Sequence, residues 1–236
     1  MIALIIIISV FSIIQSLFGV GLLLFGTPTL LLMGYSYSET LWILLPCSIT
    51  ISLIQTISNY DLVREKKKVS FLIIPPMILS LIFIVTYDYV ININKVVGFF
   101  LLLIGLINFF PNFQLYLQVI IKKQIQFYYV LIGIIHGISN MGGGPLSILM
   151  STIYHDKVKI RANIAYIYSV LSAFQLIVLS IIEPTGLKYV SITLMAISLG
   201  VYIVINTYIS QKINDKKYKI LINILILTYG ILAFFT

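Results

Sequence analysis

The residues best placed to do chemistry lie at two breaks in long apolar segments. Gly19, Gly21 and Gly26–Pro28 interrupt the first apolar segment of the chain, and Gly142–Pro145 interrupts a later one. Such breaks leave backbone N–H and C=O groups without helical partners at membrane depth, where protein or a water-filled cavity must satisfy them. Proline suits the first turn of a helix, because the N–H that it lacks has no partner there. The two breaks therefore predict half-helices that begin near Pro28 and Pro145 and bind an anion at their N-termini.

Uncharged polar side chains could line the path of such an anion. One helical face carries Ser48, Ser52, Gln55 and Asn59, at spacings of four, three and four. A later segment carries Asn163, Tyr166, Ser169 and Ser172, at spacings of three. Neutral donors can bind an oxyanion without holding it too tightly to leave. The alternative is that these side chains form hydrogen bonds between helices, as Ser, Asn and Gln do in membranes.

The ionisable side chains give little support to a proton relay through carboxylates. The seven acidic residues all fall near the ends of apolar segments, at Glu39, Asp61, Glu65, Asp88, Asp156, Glu183 and Asp215. A relay across a membrane needs ionisable groups in mid-span, where none of these acids lies. His136 is the one ionisable residue within a span, and a hydrogen-bonded structural role is its simpler interpretation. Arg161 lies at a segment end, where it either guides anions inward or simply sets topology.

These residues are positioned by apolar segments long enough to enter a membrane. Hydrophobic residues make up 60% of the 236 residues and charged residues only 9%, a composition that excludes a soluble domain. Blocks of about 20 apolar residues indicate membrane helices. The eight blocks cover residues 2–33, 40–59, 70–86, 96–110, 127–150, 163–182, 189–206 and 218–235. We therefore predict an all-α polytopic membrane protein.

The same counts exclude other function classes. The net charge of +8 has no soluble basic domain to carry it, so nucleic acid is not an expected partner. A single cysteine, Cys47, excludes an internal disulfide and a cysteine-based metal site. The sequence contains no recognisable nucleophile triad, metal cluster or phosphate-binding loop, and we expect neither a cofactor nor a metal. The N-terminal segment lacks a basic region and a cleavage site, so we interpret it as a retained membrane segment.

The chain contains an internal duplication. A shift of 117 residues pairs Gly26 with Gly143, Pro28 with Pro145, Leu32 with Leu149, Tyr37 with Tyr154, Glu39 with Asp156, Ile43 with Ile160 and Ser52 with Ser169. Matches of glycine, proline and acid at one offset are hard to obtain by chance in a chain rich in Ile and Leu. Each half is a Gly/Pro-broken segment followed by three unbroken ones. We divide the chain into a first membrane repeat at 1–111, a cytoplasmic connection at 112–126 and a second membrane repeat at 127–236.

Loop charge indicates how the two repeats are oriented. If each broken segment simply spanned, the basic loops at 61–68 and 211–219 would face opposite sides, against the positive-inside rule. If the second broken segment is a hairpin that enters and leaves on one side, 13 of the 15 Lys and Arg become cytoplasmic, and only Lys95 and Lys188 lie outside. An odd number of crossings per half inverts the repeats, as in many secondary transporters. We therefore predict inverted repeats, each with one hairpin-like segment and three transmembrane helices.

The two broken segments resemble a known family. The resemblance is carried by GVGLLLFGTPTLLLMGYSYSETLWILLPCS in the first half and by GISNMGGGPLSILMSTIYHDKVKIRANIA in the second. They are similar to the paired glycine- and proline-containing elements of the sulfite exporter TauE/SafE family. The second copy is closer, especially at Met141–Pro145 and Lys159–Asn163, whereas the first copy has Thr27 in place of a glycine. The resemblance covers essentially the whole chain and implies a plasma-membrane permease for small anions such as sulfite, sulfonates or thiosulfate.

We interpret the chain as a multi-pass plasma-membrane permease that moves a small anion by alternating access. The predicted substrate contacts are Gly26, Thr27, Pro28, Ser52, Gln55, Asn140, Gly142, Gly143, Gly144, Pro145, Asn163 and Ser169, with Arg161 as an anion-steering residue. The lipid bilayer is the other partner, and the sequence leaves a homo-oligomer open. The alternatives are a non-transporting membrane scaffold or assembly factor, in which the breaks are packing devices, and an intramembrane enzyme, which the missing mid-span acids disfavour.

Loop charge generates a test of the topology. Cysteine is introduced at predicted cytoplasmic positions Lys67, Lys123, Lys159 and Lys217, and at predicted outside positions Lys95 and Lys188. The first four should resist an impermeant thiol reagent in intact cells, and the last two should react, because basic residues concentrate in cytoplasmic loops. The native Cys47 is removed first as a control. Strong external labelling at position 159 would contradict the hairpin and favour parallel repeats instead.

Overall fold

The described part of the chain is built from helices. This computed structural model describes residues 1–87, 91–184 and 189–208 and contains no strand within them, which confirms the predicted all-α class. The last predicted segment and the loop before it, which carries Lys217, lie outside the described residues, as does Lys188. The helices described are α1 (Ile2–Phe18), α2 (Leu22–Leu32), α3 (Tyr37–Ser58), α4 (Lys66–Thr86), α5 (Ile93–Phe109), α6 (Pro111–Lys123), α7 (Ile125–Ser139), α8 (Gly143–Ile153), α9 (Lys157–Ile182) and α10 (Tyr189–Tyr208).

Helix length separates two kinds of element. The helices α3, α4, α9 and α10 contain 22, 21, 26 and 20 residues and are long and apolar enough to cross a membrane. The helices α1, α2, α7 and α8 contain only 17, 11, 15 and 11 residues. At 1.5 Å per residue, an 11-residue helix reaches only about 16 Å, roughly half of the hydrocarbon core of a bilayer. The short helices form two hairpins, α1–α2 and α7–α8, which correspond to the two broken segments of the sequence.

The first apolar segment turns at Gly19 and Gly21, two of its predicted interruptions, and not at Gly26–Pro28. The helix α1 ends at Gly19, whose φ of 77° is left-handed, and α2 begins after Gly21, whose φ is 155°. Glycine takes these angles without the steric penalty of a Cβ, so the chain turns here. Gly26–Pro28 instead lies inside α2, with Pro28 well past its first turn. The expectation that Pro28 begins a half-helix is therefore wrong.

The second break lies where the sequence predicts it. The helix α7 ends at Asn140, which adopts a left-handed φ of 61° and donates its N–H to the carbonyl of His136 at 2.8 Å. Asparagine tolerates this conformation better than most side chains. The helix α8 then begins at Gly143, so Pro145 falls in its first turn, where a missing N–H costs least. Both hairpins thus turn through a left-handed residue, Gly19 in the first and Asn140 in the second.

The two ends of the α7–α8 hairpin meet at one carboxylate. Tyr129, near the start of α7, and Tyr154, directly after α8, donate hydrogen bonds to Glu65 at 2.6 and 2.8 Å, one to each carboxylate oxygen. Lys68 forms an ion pair with the same carboxylate at 3.0 Å. The hairpin therefore enters and leaves the bundle at one end, beside the basic loop before α4. This is the geometry that loop charge predicts for the second half.

The helices α3 and α9 lie side by side and run in opposite directions. Trp42, in the second turn of α3, donates to the carbonyl of Glu183, just after α9, at 3.3 Å. At the other end, the Asn163 side chain in α9 accepts from the N–H of Arg64 at 2.9 Å and donates to the carbonyl of Leu62 at 3.1 Å. The two helices hold the same place in the two predicted repeats, and the inversion of those repeats stays a prediction. The orientation of the repeats in the membrane stays a prediction.

The duplicated helices recur at a longer spacing than the sequence matches indicate. The helix α2 spans Leu22–Leu32 and α8 spans Gly143–Ile153, an offset of 121 residues. The N-caps of α3 and α9 are Ser36 and Asp156, an offset of 120 residues. The offset of 117 residues therefore pairs chemically similar residues that occupy different positions along the helices.

The connection between the two halves is itself largely helical. The sequence predicts a cytoplasmic connection at 112–126, and the structure forms most of it into α6, which begins at Pro111 and ends at Lys123. Lys122 and Lys123 lie in the last turn of this helix, where positive charge complements the helix dipole. They directly precede α7 and so belong to the end of the bundle that carries Glu65. The boundaries of the two repeats stay a prediction.

The contacts of Glu65 predict a pH-dependent contribution to stability. Burial raises the pKa of Glu65, but two tyrosine hydroxyls and the Lys68 ammonium outweigh it, and the pKa lies below its usual value. A carboxyl with a lowered pKa stabilises the folded state above its unfolded-state pKa of about 4.3, and this stabilisation is lost as the pH falls through the folded-state pKa. Glu65→Gln should lower the free energy of unfolding at neutral pH by about 1.5–3 kcal/mol, the contribution of a hydrogen bond to a charged group.

Thermal unfolding in detergent measures this difference. The deficit of Glu65→Gln should shrink below about pH 4, where the wild-type carboxyl also becomes protonated. Asp61→Asn changes an exposed acid in the same loop and should leave the stability unchanged. A Glu65→Gln protein as stable as the wild type at neutral pH would contradict a clamping role for this carboxylate.

Candidate functional site

The tips of the two hairpins pass each other inside the bundle. The side-chain amide of Asn140, at the tip of α7–α8, donates to the hydroxyl of Thr27 in α2 at 3.0 Å. Val20, at the tip of α1–α2, lies beside Gly143 at the start of α8. All four residues are buried. The structure thus brings together Thr27, Asn140 and Gly143, three of the residues predicted from the two breaks.

The glycines near the hairpin tips are positions of close packing. At each of these glycines, a neighbouring side chain occupies the space that a Cβ atom would need. That neighbour is His136 at Gly142, Tyr168 at Gly143, Ile104 at Gly144 and Leu44 at Gly26. A side chain at any of these four positions would displace a packed neighbour. Glycine therefore lets the hairpins approach each other and the surrounding helices closely. Contact between the backbone of these glycines and an anion stays a prediction.

Gln15 connects the first hairpin to α3. Its side-chain amide donates to the carbonyl and the hydroxyl of Ser48 at 3.1 and 3.0 Å, and to the hydroxyl of Ser52 at 3.0 Å. Its carbonyl oxygen accepts from the N–H of Leu22, the first residue of α2, at 3.3 Å. Gln15 thereby satisfies one of the N–H groups that a helix start leaves without an intrahelical partner. Ser52, which the sequence places on the anion path, is bonded to Gln15 in this structure.

A polar cavity lies at the end of the bundle that carries the basic loops. Its volume is about 260 Å³, and its lining residues are Gln55, Ser58, Asn59, Val158, Arg161 and Asn206. Two residues predicted from the sequence, Gln55 and Arg161, therefore face one space. Both donate to the carbonyl of Ser16, at 2.9 and 3.2 Å, near the tip of the α1–α2 hairpin.

Arg161 brings positive charge to this cavity. Its side chain is half-buried and uses one nitrogen, Nη2, to bond Ser16. Within residues 1–87, 91–184 and 189–208, the single ion pair joins Lys68 to Glu65, so no described carboxylate neutralises Arg161. The planar guanidinium presents five N–H donors and binds oxyanions through two parallel hydrogen bonds. The cavity is therefore suited to a small anion.

The second polar face predicted from the sequence is bonded to the protein itself. The Asn163 side chain is used at both ends, accepting from the N–H of Arg64 and donating to two backbone carbonyls. The hydroxyl of Ser169 donates to the carbonyl of Tyr166 in its own helix at 2.8 Å. Neither Asn163 nor Ser169 lines the polar cavity. Asn163 instead fastens the loop before α4 to α9.

The buried polar face of α9 is a different one. It carries Tyr168, Ser172 and Gln175, at spacings of four and three. His136 of α7 packs its ring edge-on to that of Tyr168, with centroids 5.7 Å apart, and its Nε2 lies 3.2 Å from Oε1 of Gln175. All four side chains are fully buried. These four residues, His136, Tyr168, Ser172 and Gln175, form what we call the His136 cluster.

The part of the chain that the structure describes offers hydrogen bonding rather than a metal centre. No group of three or more His, Cys, Asp or Glu side chains that could hold a metal ion occurs among the described residues. Cys47 is a buried free thiol in α3.

Comparison with known proteins identifies the family. Neither curated proteins nor solved structures give a match to this chain. The family model described as "Sulfite exporter TauE/SafE" matches residues 4–233, nearly the whole chain. That family consists of membrane transporters rather than enzymes, which agrees with four long apolar helices and a polar cavity. The chain belongs to the sulfite exporter TauE/SafE family.

Proposed function

We propose that this protein transports a small oxyanion, such as sulfite, thiosulfate or a small sulfonate, across the plasma membrane by alternating access. The observation that carries the proposal is a polar cavity in which Arg161 has no described counter-ion. Membership of a membrane transporter family supports transport as such. The cavity adds the charge and the hydrogen-bond donors that select an anion.

Arg161 and its neutral neighbours contribute different interactions to anion binding. The guanidinium supplies charge and directional donors, and hydrogen bonds to a charged group contribute about 1.5–3 kcal/mol each. Gln55 and Asn59 add neutral amides to the same cavity. Because a neutral hydrogen bond contributes only about 0.5–1.5 kcal/mol, the anion can leave again. A site of this kind binds and releases its ligand, as a transporter must.

The position in α3 that corresponds to Arg161 lies among buried apolar side chains. At the structural offset of 120 residues, Arg161 in α9 corresponds to Leu41 in α3. Leu41, Leu44 and Leu45 are fully buried. We interpret this structure as the state that is open toward the basic loops. In an inverted duplication, movement of the hairpins would close this cavity and open the other end, as alternating access requires.

A non-transporting scaffold is the alternative function. A scaffold predicts a dry centre filled by apolar side chains, with glycines that serve packing alone. The close contacts of the four glycines at the hairpins agree with both ideas. The polar cavity at Arg161 and the buried polar atoms of the His136 cluster favour a path for an anion.

Replacement of Arg161 should weaken anion binding. Arg161→Gln removes the charge and keeps a neutral amide in the cavity. Transport of radiolabelled sulfite, thiosulfate and methanesulfonate is measured in reconstituted vesicles. For the anion that is transported, KM should rise about tenfold or more, because the lost hydrogen bond to a charged group contributes about 1.5–3 kcal/mol and 1.4 kcal/mol corresponds to tenfold. Added salt should weaken binding by the wild type more than by Arg161→Gln, since the variant lacks the charge that salt screens.

Lys159→Gln provides the matched control. It removes a positive charge from the same end of α9, but Lys159 is exposed and lies outside the cavity. Its KM should stay within about twofold of the wild-type value, because exposed charges contribute little at physiological salt. An unchanged KM in Arg161→Gln would show that the transported anion does not bind in this cavity. A wild type that moves none of the three anions would contradict the proposed function.

A further inference from the structure

Unpaired polar atoms are concentrated in the His136 cluster. They are Nδ1 of His136, the hydroxyls of Tyr168 and Ser172, and Nε2 of Gln175, all buried and without a hydrogen-bond partner. Oδ1 of Asn140, at the tip of the same hairpin, is also unpaired. Leaving a buried donor or acceptor without a partner costs about 1–3 kcal/mol, so native proteins have few of them. A bound ligand would give these atoms their partners.

The corresponding polar residues in the first half form hydrogen bonds with one another. At the structural offset of 120 to 121 residues, His136 corresponds to Gln15 and Ser172 to Ser52. Gln15 bonds both Ser48 and Ser52 through its amide and the start of α2 through its carbonyl oxygen. Among the first-half counterparts Gln15, Ser48, Ser52 and Gln55, one atom is unpaired, Oε1 of Gln55, whereas four atoms of the His136 cluster are unpaired. The His136 cluster is therefore the one that could receive a ligand.

The open atoms of the His136 cluster match an oxyanion. The hydroxyls of Tyr168 and Ser172 and the amide of Gln175 are hydrogen-bond donors. The imidazole of His136 becomes a donor at both ring nitrogens when it is protonated. A small oxyanion with three oxygen atoms, such as sulfite, can accept from several of these groups at once. The cluster therefore selects the same ligand class as the Arg161 cavity.

The Arg161 cavity and the His136 cluster lie along one face of α9. The face consists of Arg161, Tyr168, Ser172 and Gln175, at spacings of seven, four and three. At 1.5 Å per residue, Gln175 lies about 21 Å along the helix axis from Arg161. The tip of the α1–α2 hairpin stands between them, since Gly19 packs beside the backbone of Arg161. Movement of this tip would connect the two places.

Neutral groups surround the imidazole of His136. Tyr168 and Gln175 face it from α9, and Gly142 at the start of α8 packs on it. From α3, Tyr37 donates to the carbonyl of the residue after His136. The titratable residues of α4 are its first three lysines, whereas Gly137, next to His136, packs on Met77 and Ser80 further along that helix. Lys95 of α5 lines a largely apolar pocket with Ile138. No ion pair among the described residues involves His136.

These surroundings make the charge of His136 depend on an anion. A buried imidazolium without a counter-ion is strongly disfavoured, so the ring is neutral while the cluster is empty. An anion beside Nδ1 supplies the missing counter-charge and favours the protonated form. Histidine is the side chain whose charge changes most readily near neutral pH. Binding of the anion and uptake of a proton should therefore occur together.

We propose that the His136 cluster is the occluded binding site of the transported oxyanion and that His136 takes up one proton as the anion binds. The proton adds to the lone pair of Nδ1, while Nε2–H continues to donate to Gln175, and no other bond forms or breaks. The proton leaves when the anion leaves. The inference rests on the proposed anion transport and deepens it, because it couples transport to a pH gradient.

Reconstituted vesicles test this coupling. With the membrane potential clamped, a gradient of one pH unit should drive about tenfold accumulation of radiolabelled sulfite by the wild type, if one proton moves with each anion. His136→Gln keeps a donor toward Gln175 but cannot take up a proton. Because His136 belongs to the proposed site, this variant should exchange sulfite more slowly. The accumulation that the pH gradient drives in it should fall about tenfold below the wild-type value. Titration of sulfite itself is common to both proteins and cancels in the comparison.

His155→Gln is the matched control for this experiment. His155 is exposed, outside the cluster, and the only other histidine of the chain. This variant should accumulate sulfite as the wild type does. Full accumulation by His136→Gln, or wild-type exchange that ignores the gradient, would overturn the coupling and leave anion transport intact. A wild type that exchanges none of the three anions would instead contradict the proposed function.

Nitrogen NMR measures the protonation of His136 directly and does not require a His136 variant that folds. In the His155→Gln protein, His136 is the only histidine, so labelled histidine reports its protonation directly. At neutral pH, sulfite should convert the imidazole to imidazolium. Tyr168→Phe in the same background removes one neutral donor and should raise the sulfite concentration required by about 2- to 13-fold. An imidazole that stays neutral at concentrations that saturate exchange would overturn the proposal.

Discussion

A helix too short to cross a bilayer must end inside it, and this constraint governs most of the described architecture. The helices α2 and α8 contain 11 residues each, and their first residues are buried inside the bundle, away from water that could bond their N-terminal backbone groups. The protein supplies partners from within: Gln15 accepts from the first N–H of α2, and Ser139 accepts from the N–H of Met141 at 3.2 Å. The two tips can be buried side by side because glycines at both hairpins let backbone and side chains approach closely.

The sequence predicts those features that depend on the bilayer rather than on tertiary contacts. Apolar length gives the spans, and loop charge predicts a second hairpin whose two ends the structure joins at Glu65. The position of the first break depends on backbone angles instead. The sequence alone does not distinguish Gly19, Gly21 and Gly26. The proline at position 28 favoured a break at Gly26, which is helical in the structure. Only the left-handed angles of Gly19 and Gly21 mark the turn.

The polar site could be predicted in part for a similar reason. Gln55 and Arg161, which the sequence predicts in separate roles, face one cavity. Their binding of an anion stays a prediction. A helical face, however, does not reveal which of its hydroxyls and amides are already bonded within the protein, as those of Ser52, Asn163 and Ser169 are. Tyr168 and Gln175 are absent from the predicted face, and the offset of 117 residues does not align the Ser-x-x-Gln pair that occurs in both halves. At 120 residues, Ser52-x-x-Gln55 returns as Ser172-x-x-Gln175.

The two halves of the duplication differ most in the chemistry at their hairpin tips. Gln15 and His136 occupy equivalent places, and both bond a polar side chain of the neighbouring long helix. Glutamine keeps one charge state, whereas imidazole can change its own near neutral pH. A carboxylate at the position of His136 would repel an anion, and a permanent cation would be costly whenever the site is empty. A group that is neutral when empty and positive when occupied avoids both penalties. If the proposed site is correct, the first hairpin can remain bonded to α3 through Gln15 while the second responds to the ligand, so the two hairpins need not move alike.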